Sequence, residues 1–90
     1  MPVSSELDRK KAAKQKERDR WNRAIVTVIR AARDDADVTQ QELANRLGFT
    51  HRQVVNMEHG RRAIHASDLI MIAKALNADP ETLLRRVLRW

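Results

Sequence analysis

Few side chains in this 90-residue sequence are able to do covalent chemistry. There is no cysteine and no tyrosine, and serine stands only at positions 4, 5 and 67. No glycine-rich stretch offers a cradle for phosphates. Disulfides and thiolate metal sites are excluded outright. The three histidines, His51, His59 and His65, lack a His-Glu-x-x-His spacing and thiolate companions. On a helix, His51 and His59 would lie more than two turns apart, too far to share a metal ion. No enzyme activity, metal or cofactor is expected. What remains is recognition chemistry. His51, Arg52, Val55, Asn56 and His59 fall on one side of a short helix, and no acid joins them before Glu58. A face of hydrogen-bond donors and acceptors reads polar edges by reversible binding.

The elements that must position this face lie in residues 39–60, TQQELANRLGFTHRQVVNMEHG. Thr39 is an N-cap residue type, and Glu42 stands at the capping-box spacing behind it. Leu43, Ala44 and Leu47 recur at helical spacing. Gly48 follows, where a left-handed C-terminal residue costs glycine nothing. After Phe49, Thr50 is a second cap. The next helix keeps Val54 and Met57 on its inner side and stops at Gly60. Two short helices with a glycine-containing connection of about three to four residues predict a helix-turn-helix. The outer face of the second is the surface a DNA major groove would meet.

The pattern Q-x-x-L-A-x-x-L-G-F-T-x-x-x-V-x-x-M-E-x-G resembles the helix-turn-helix of the Cro/C1 (XRE-like) phage-repressor family, and the likeness extends over about residues 21–88. It implies an all-α fold, a five-helix lambda-repressor-like DNA-binding domain with the helix-turn-helix at its second and third helices. It also implies roles for individual residues. Gln40 and Thr50, at the two helix N-termini, would bind phosphates with side chain, backbone N–H and helix dipole together. Arg52 would fork onto guanine O6 and N7, Asn56 would pair with adenine, and Val55 would meet a thymine methyl. His51 becomes a groove donor and Gln53 a ligand of backbone or base, while His59 is a surface residue. Arg61 and Arg62, just past the recognition helix, would hold phosphates. Arg33, late in the first helix, would form a structural ion pair with Glu58. One departure concerns the turn before the second helix, where the family often has Gly-Leu and this chain has Asp37-Val38. Val38 still suits a hydrophobic staple onto Leu43.

The first helix is expected to begin near Trp21, because Trp21, Ile25, Val28, Ile29 and Ala32 form one apolar stripe. Asp34, Asp35 and Asp37 end it, since acids at a C-terminus oppose the helix dipole. Residues 1–20 hold seven basic and four acidic residues, with Val3 and Leu7 the only larger aliphatics. They are expected to be a basic tail or an extension of the first helix, either idle or laid along DNA; residues 21–90 make the domain. The fourth helix is predicted from about Ala66 to Leu76, with Ala66, Leu69, Ile70, Ile72, Ala73 and Leu76 as candidate core. His65 caps it, and Met71 is expected at the surface. Asn77 ends it, and Asp79-Pro80 opens a fifth helix with a cap followed by Pro at its first position. Leu83, Leu84, Val87, Leu88 and Trp90 exceed what one terminal helix needs for docking. The family resemblance therefore implies a homodimer through Leu84, Val87, Leu88 and Trp90; the alternative is that Trp90 closes the monomer's own core.

Eighteen Lys and Arg against twelve Asp and Glu give a net charge of +6, which favours polyanions. No apolar run approaches the roughly 18 residues of a membrane span, and no signal peptide is visible, so the cytoplasm is the expected location. Together these features lead to a sequence-specific transcriptional regulator, a repressor binding double-stranded DNA at an inverted repeat as a homodimer. A second reading uses the same fold as a protein-interaction module that grips a partner such as a toxin or a co-regulator. A third is charge-driven packaging of nucleic acid.

Overall fold

The apolar stripe of the first helix sits on a helix far longer than the stripe requires. In the computed structural model, residues 2–90 are described, with side chains from Ser5 onward; Met1 and the Val3 side chain, both within the expected tail, lie outside the described residues. Five helices follow one another: α1 (Pro2–Asp35), α2 (Gln40–Leu47), α3 (His51–Glu58), α4 (Ala66–Ala75) and α5 (Pro80–Arg89). The start expected near Trp21 is thus corrected to Pro2. Two causes suffice. Lys, Arg, Ala, Gln and Glu, all good helix formers, dominate residues 9–18. Once residues 21–35 are docked, extension backwards needs no new nucleus. Side-chain pairs reinforce it: Lys14 Nζ lies 3.3 Å from Glu17, and Gln15 Nε2 donates to Asp19 at 2.9 Å. Side chains 5–20 are all exposed.

Beyond Trp21 the helix enters the core. Ala24, Val28, Ile29 and Ala32 are buried, and Trp21 and Ile25 pack half-buried at the edge. Ala24 was absent from the expected stripe because a small residue carries a weak periodic signal. Leu43, Ala44 and Leu47 of α2, Val54 and Met57 of α3, Ile72 and Ala73 of α4, and Leu83 and Val87 of α5 complete the interior. Each large aliphatic so placed contributes roughly 1.5–3 kcal/mol relative to exposure. Two expected core positions of α4 are corrected: Ala66 is exposed, and Ile70 is 45% exposed. The buried side of α4 is fixed by Asp68, Ile72, Ala73 and the cap residue Leu76, and a turn of 100° per residue rotates 66 and 70 off it. Met71 is exposed as well.

On α5 the aliphatics divide. Leu83 and Val87 face inward, while Leu84, Leu88 and Trp90 are 46%, 61% and 54% exposed. Val87 therefore belongs to the monomer's core, which corrects its place in an expected dimer face. Nor does Trp90 close the core; it lines an open cleft beside Asn22, Arg23 and Val26 of α1.

Left-handed residues terminate the helices where chain direction changes. Gly48 (φ +70°) ends α2, with the Phe49 N–H donating to Ala44 O at 2.9 Å. After α1 the same role falls to Asp37 (φ +56°), in the turn where the family often has glycine, and after α4 to Asn77 (φ +55°). Asp and Asn tolerate this region better than other non-glycine residues. The turn forms without glycine.

Candidate nucleic-acid interface

The two short helices α2 and α3 are each opened by a reciprocal cap. Thr39 Oγ1 accepts from Glu42 N at 3.1 Å, and Thr39 N donates to Glu42 Oε1 at 3.4 Å. At α3, Thr50 Oγ1 accepts from Gln53 N at 3.1 Å, and Thr50 N donates to Gln53 Oε1 at 2.8 Å. An eight-residue helix is marginal alone, so these caps and the buried pair Val54 and Met57 carry it. Thr50→Ala is expected to destabilise the fold by about 1 kcal/mol. In a thermal melt followed by circular dichroism that corresponds to a loss of roughly 4–8 °C.

With its inner side buried, α3 turns the rest outward. His51, Arg52 and Gln53 are exposed, and Val55 and Asn56 are half-buried. Among the described residues, the side chains of His51, Arg52 and Asn56 make no hydrogen bond within the chain, so their donors and acceptors are unspent. Gln53 differs: its carbonyl oxygen serves the cap, leaving its amide nitrogen for anything outside. His59 turns back on its own helix, its Nδ1 lying 2.8 Å from Val55 O.

The far end of α3 is fixed by a buried charge cluster. Arg33 Nε donates to Glu58 Oε2 at 2.7 Å and Nη2 donates to Glu58 Oε1 at 2.9 Å, a two-pronged pair. Its remaining nitrogen, Nη1, donates to Val38 O at 2.9 Å. Gln40 Nε2 adds a third bond to the Glu58 carboxylate at 3.0 Å. The side chains of Arg33 and Glu58 are only 13% and 1% exposed, so this pair is shielded from solvent screening. Burial pushes the Glu58 carboxyl up, but the bonds from Arg33 and Gln40 and the charges of Arg33 and Arg30 outweigh it, leaving it below the usual carboxylate range. The bond to Glu58 raises the Arg33 guanidinium in turn, against a smaller opposing effect of burial. One cluster thus ties the recognition helix to α1 and to the first residue of α2.

Gln40 accordingly spends a donor inside the protein, a use that its position at a helix N-terminus did not signal. The basic pair after α3 also separates. Arg61 is exposed, whereas the Arg62 guanidinium carbon lies 4.3 Å from the centroid of the Phe49 ring, and Nη1 is buried without a partner. Two further supports escaped the sequence reading. Asp68, 8% exposed, accepts from His65 N at 3.0 Å and fixes the end of the loop after α3. Arg46 Nη1 donates to Ala75 O at 2.8 Å, satisfying a carbonyl at the end of α4. An acid at the third helical position was a readable signal for the first; nothing local signalled the second. No helix among the described residues is long and apolar enough to cross a membrane.

A capped helix α2 docked through Leu43, Ala44 and Leu47, a left-handed glycine turn and a helix α3 with an unspent polar outer face together define a helix-turn-helix DNA-binding domain. A helix-turn-helix family model matches residues 29–83, and the chain belongs to the Cro/C1-type (XRE) helix-turn-helix family, whose members are DNA-binding transcriptional regulators. Solved structures agree in fold. An XRE-family like protein from Pseudomonas syringae pv. tomato superposes with a TM-score of 0.76 at 28% identity, over 87% of this chain and 94% of that one. The clp gene regulator ClgR from Corynebacterium glutamicum gives 0.71 at 25% identity, over 77% and 90%. A mutant of the restriction-modification controller protein C.Esp1396I gives 0.73 at 19% identity, over 77% and 92%. No curated protein matches the chain.

Proposed function

We propose that the protein is a repressor that occupies an inverted-repeat operator as a homodimer in the cytoplasm, and so blocks a promoter. The observation that carries this reading is the outer face of α3, where Arg52, Asn56 and His51 hold unspent hydrogen-bonding groups around the half-buried Val55. Arg52 reads guanine, Asn56 reads adenine and Val55 meets a thymine methyl, while His51 donates within the groove. Thr50, Gln53 and Arg61 hold the backbone, together with whatever capacity Gln40 retains beside Glu58. Residues 21–90 form the binding domain and the basic first twenty residues an appendage to it. ClgR, similar at 25% identity, is described as a gene regulator, which supports a regulatory role.

Two copies meet through the exposed side of α5. Leu84 and Leu88 stand one turn apart at 46% and 61% exposure, with Trp90 beyond them at 54%. The Leu88→Glu variant is expected to sediment as a monomer, and its preferred site shrinks to one half-site.

The deciding experiment selects duplexes from a random library with the purified protein and rebinds the enriched DNA at about 150 mM salt, where counterion release has weakened purely ionic binding. The expected product is an inverted repeat with half-site centres about one helical turn, 10–10.5 bp, apart. No enrichment would remove the DNA-reading proposal and favour the second reading, in which the exposed α5 side grips a protein partner.

A further inference from the structure

We infer that Arg62 acts as a positioning residue, clamping the two loops that flank the recognition helix through Phe49, and does not serve as a phosphate ligand. The inference rests on the DNA-reading role of α3. Phe49 lies in the turn that leads into α3, half-buried against the core, and Arg62 lies in the irregular stretch that follows α3. The guanidinium covers the ring at 4.3 Å, inside the distance at which a cation is held by an aromatic face. Its Nη1 is sealed from solvent with no hydrogen-bond partner, and the residue as a whole is half-buried. A phosphate ligand of this type offers its terminal nitrogens together as a fork. Here one of them cannot reach a ligand unless the stack opens. Arg61, next to it, is exposed and free of that constraint.

The geometry gives the contact a specific purpose. The eight residues of α3 are held at the C-terminal end by Glu58 and at the N-terminal end by the Thr50 cap. The loops outside those two points have no backbone hydrogen bond to each other. Stacking Arg62 on Phe49 links them directly and limits how far α3 can rock about its axis. Base-edge contacts tolerate little rocking; phosphate contacts from flexible side chains tolerate more.

The test uses the full chain, the duplex it enriches from a random library and an unrelated duplex of equal length. Arg62→Met keeps the stem and removes the cation, Phe49→Leu keeps the bulk and removes the ring, and the double variant removes both. Circular dichroism at the binding temperature establishes that each is folded. Each single variant is expected to bind the enriched duplex about tenfold more weakly, the scale of a partly shielded cation–π contact. The double variant should be no weaker than either single one, and binding to the unrelated duplex should hardly change. The slope of log Kd against log salt should stay as in the native chain. A phosphate contact predicts the opposite pattern. Arg62→Met would then flatten that slope by about one, would weaken both duplexes alike, and would add to the effect of Phe49→Leu. That pattern overturns the inference, as does native affinity in both single variants.

Discussion

Glu58→Gln is expected to lower the melting temperature by about 12–40 °C. The substitution leaves the Arg33 guanidinium, 13% exposed, beside a neutral amide. Breaking one side of a shielded pair costs about 3–5 kcal/mol, whereas an exposed pair is worth about 1 kcal/mol or less. For a domain of this size each kcal/mol moves the midpoint by roughly 4–8 °C. Removing both charges at once, as Arg33→Met with Glu58→Leu, should recover most of the loss, because the penalty belongs to the unpaired charge and not to the absent bond. Thermal melts of the native chain and these two variants decide the matter. If the double variant is as weak as Glu58→Gln, the desolvation account fails.

The same pair sets a dependence on pH. The folded state holds the Glu58 carboxyl below its ordinary value of 4.5, so unfolding raises its proton affinity. The stabilisation is complete above that ordinary value and is lost as pH falls through the lower, folded value. Denaturant titrations at stepped pH should show the native chain losing stability on acidification below about 4.5. In Glu58→Gln that part of the slope should be missing.

Arg52→Ala and Asn56→Ala carry the second large effect. Each is expected to weaken binding to the enriched duplex by about five- to 150-fold, equivalent to about 1–3 kcal/mol for each lost base-edge pair. Affinity for unrelated DNA should move far less, since phosphates supply nearly all of that binding. Preference should relax at one base position per variant, and at different positions for the two. The melting temperature should stay close to the native value, because neither side chain is bonded within the fold. Competition assays with single-base variants of the duplex measure all of this. Equal weakening on every sequence would sink the assignment of these residues to base edges.

The helix-turn-helix was legible because its signals are local. Thr39 with Glu42, Thr50 with Gln53, and Gly48 each act within a few residues, and their geometry follows. The inner faces of α2 and α3 could be read for the same reason, through Leu43 and Val54, whereas nothing local on α5 divides the buried Leu83 and Val87 from the exposed Leu84 and Leu88. What escaped depends on where distant segments meet. Gln40 is a helix-start residue in sequence and a ligand of Glu58 in space, because α2 and α3 fold back on each other. Arg62 is one of two adjacent arginines until Phe49 comes within reach. Ile70 has the composition of a core residue, yet α5 and α2 cover only one side of α4. The start of α1 was misplaced for another reason. A search for apolar periodicity finds only the docked half of a helix, and residues 5–20 are held by propensity and side-chain pairs alone.

That extension also governs how the molecule moves through solution. Thirty-four helical residues at 1.5 Å each measure about 51 Å, close to the longest dimension of the protein, 52 Å against 27 and 18 Å across. The particle is a rod with a bulge at one end, so it spins quickly about its length and turns end over end slowly. Amide N–H vectors in α1 lie along the long axis, so the fast spin leaves them unturned and they report the slower end-over-end tumbling. Their ¹⁵N transverse relaxation should be faster than that of amides in helices inclined to α1, as long as residues 5–20 stay helical. Frictional drag should exceed that of a sphere of equal mass, and cutting the chain back to Trp21 should remove most of the excess.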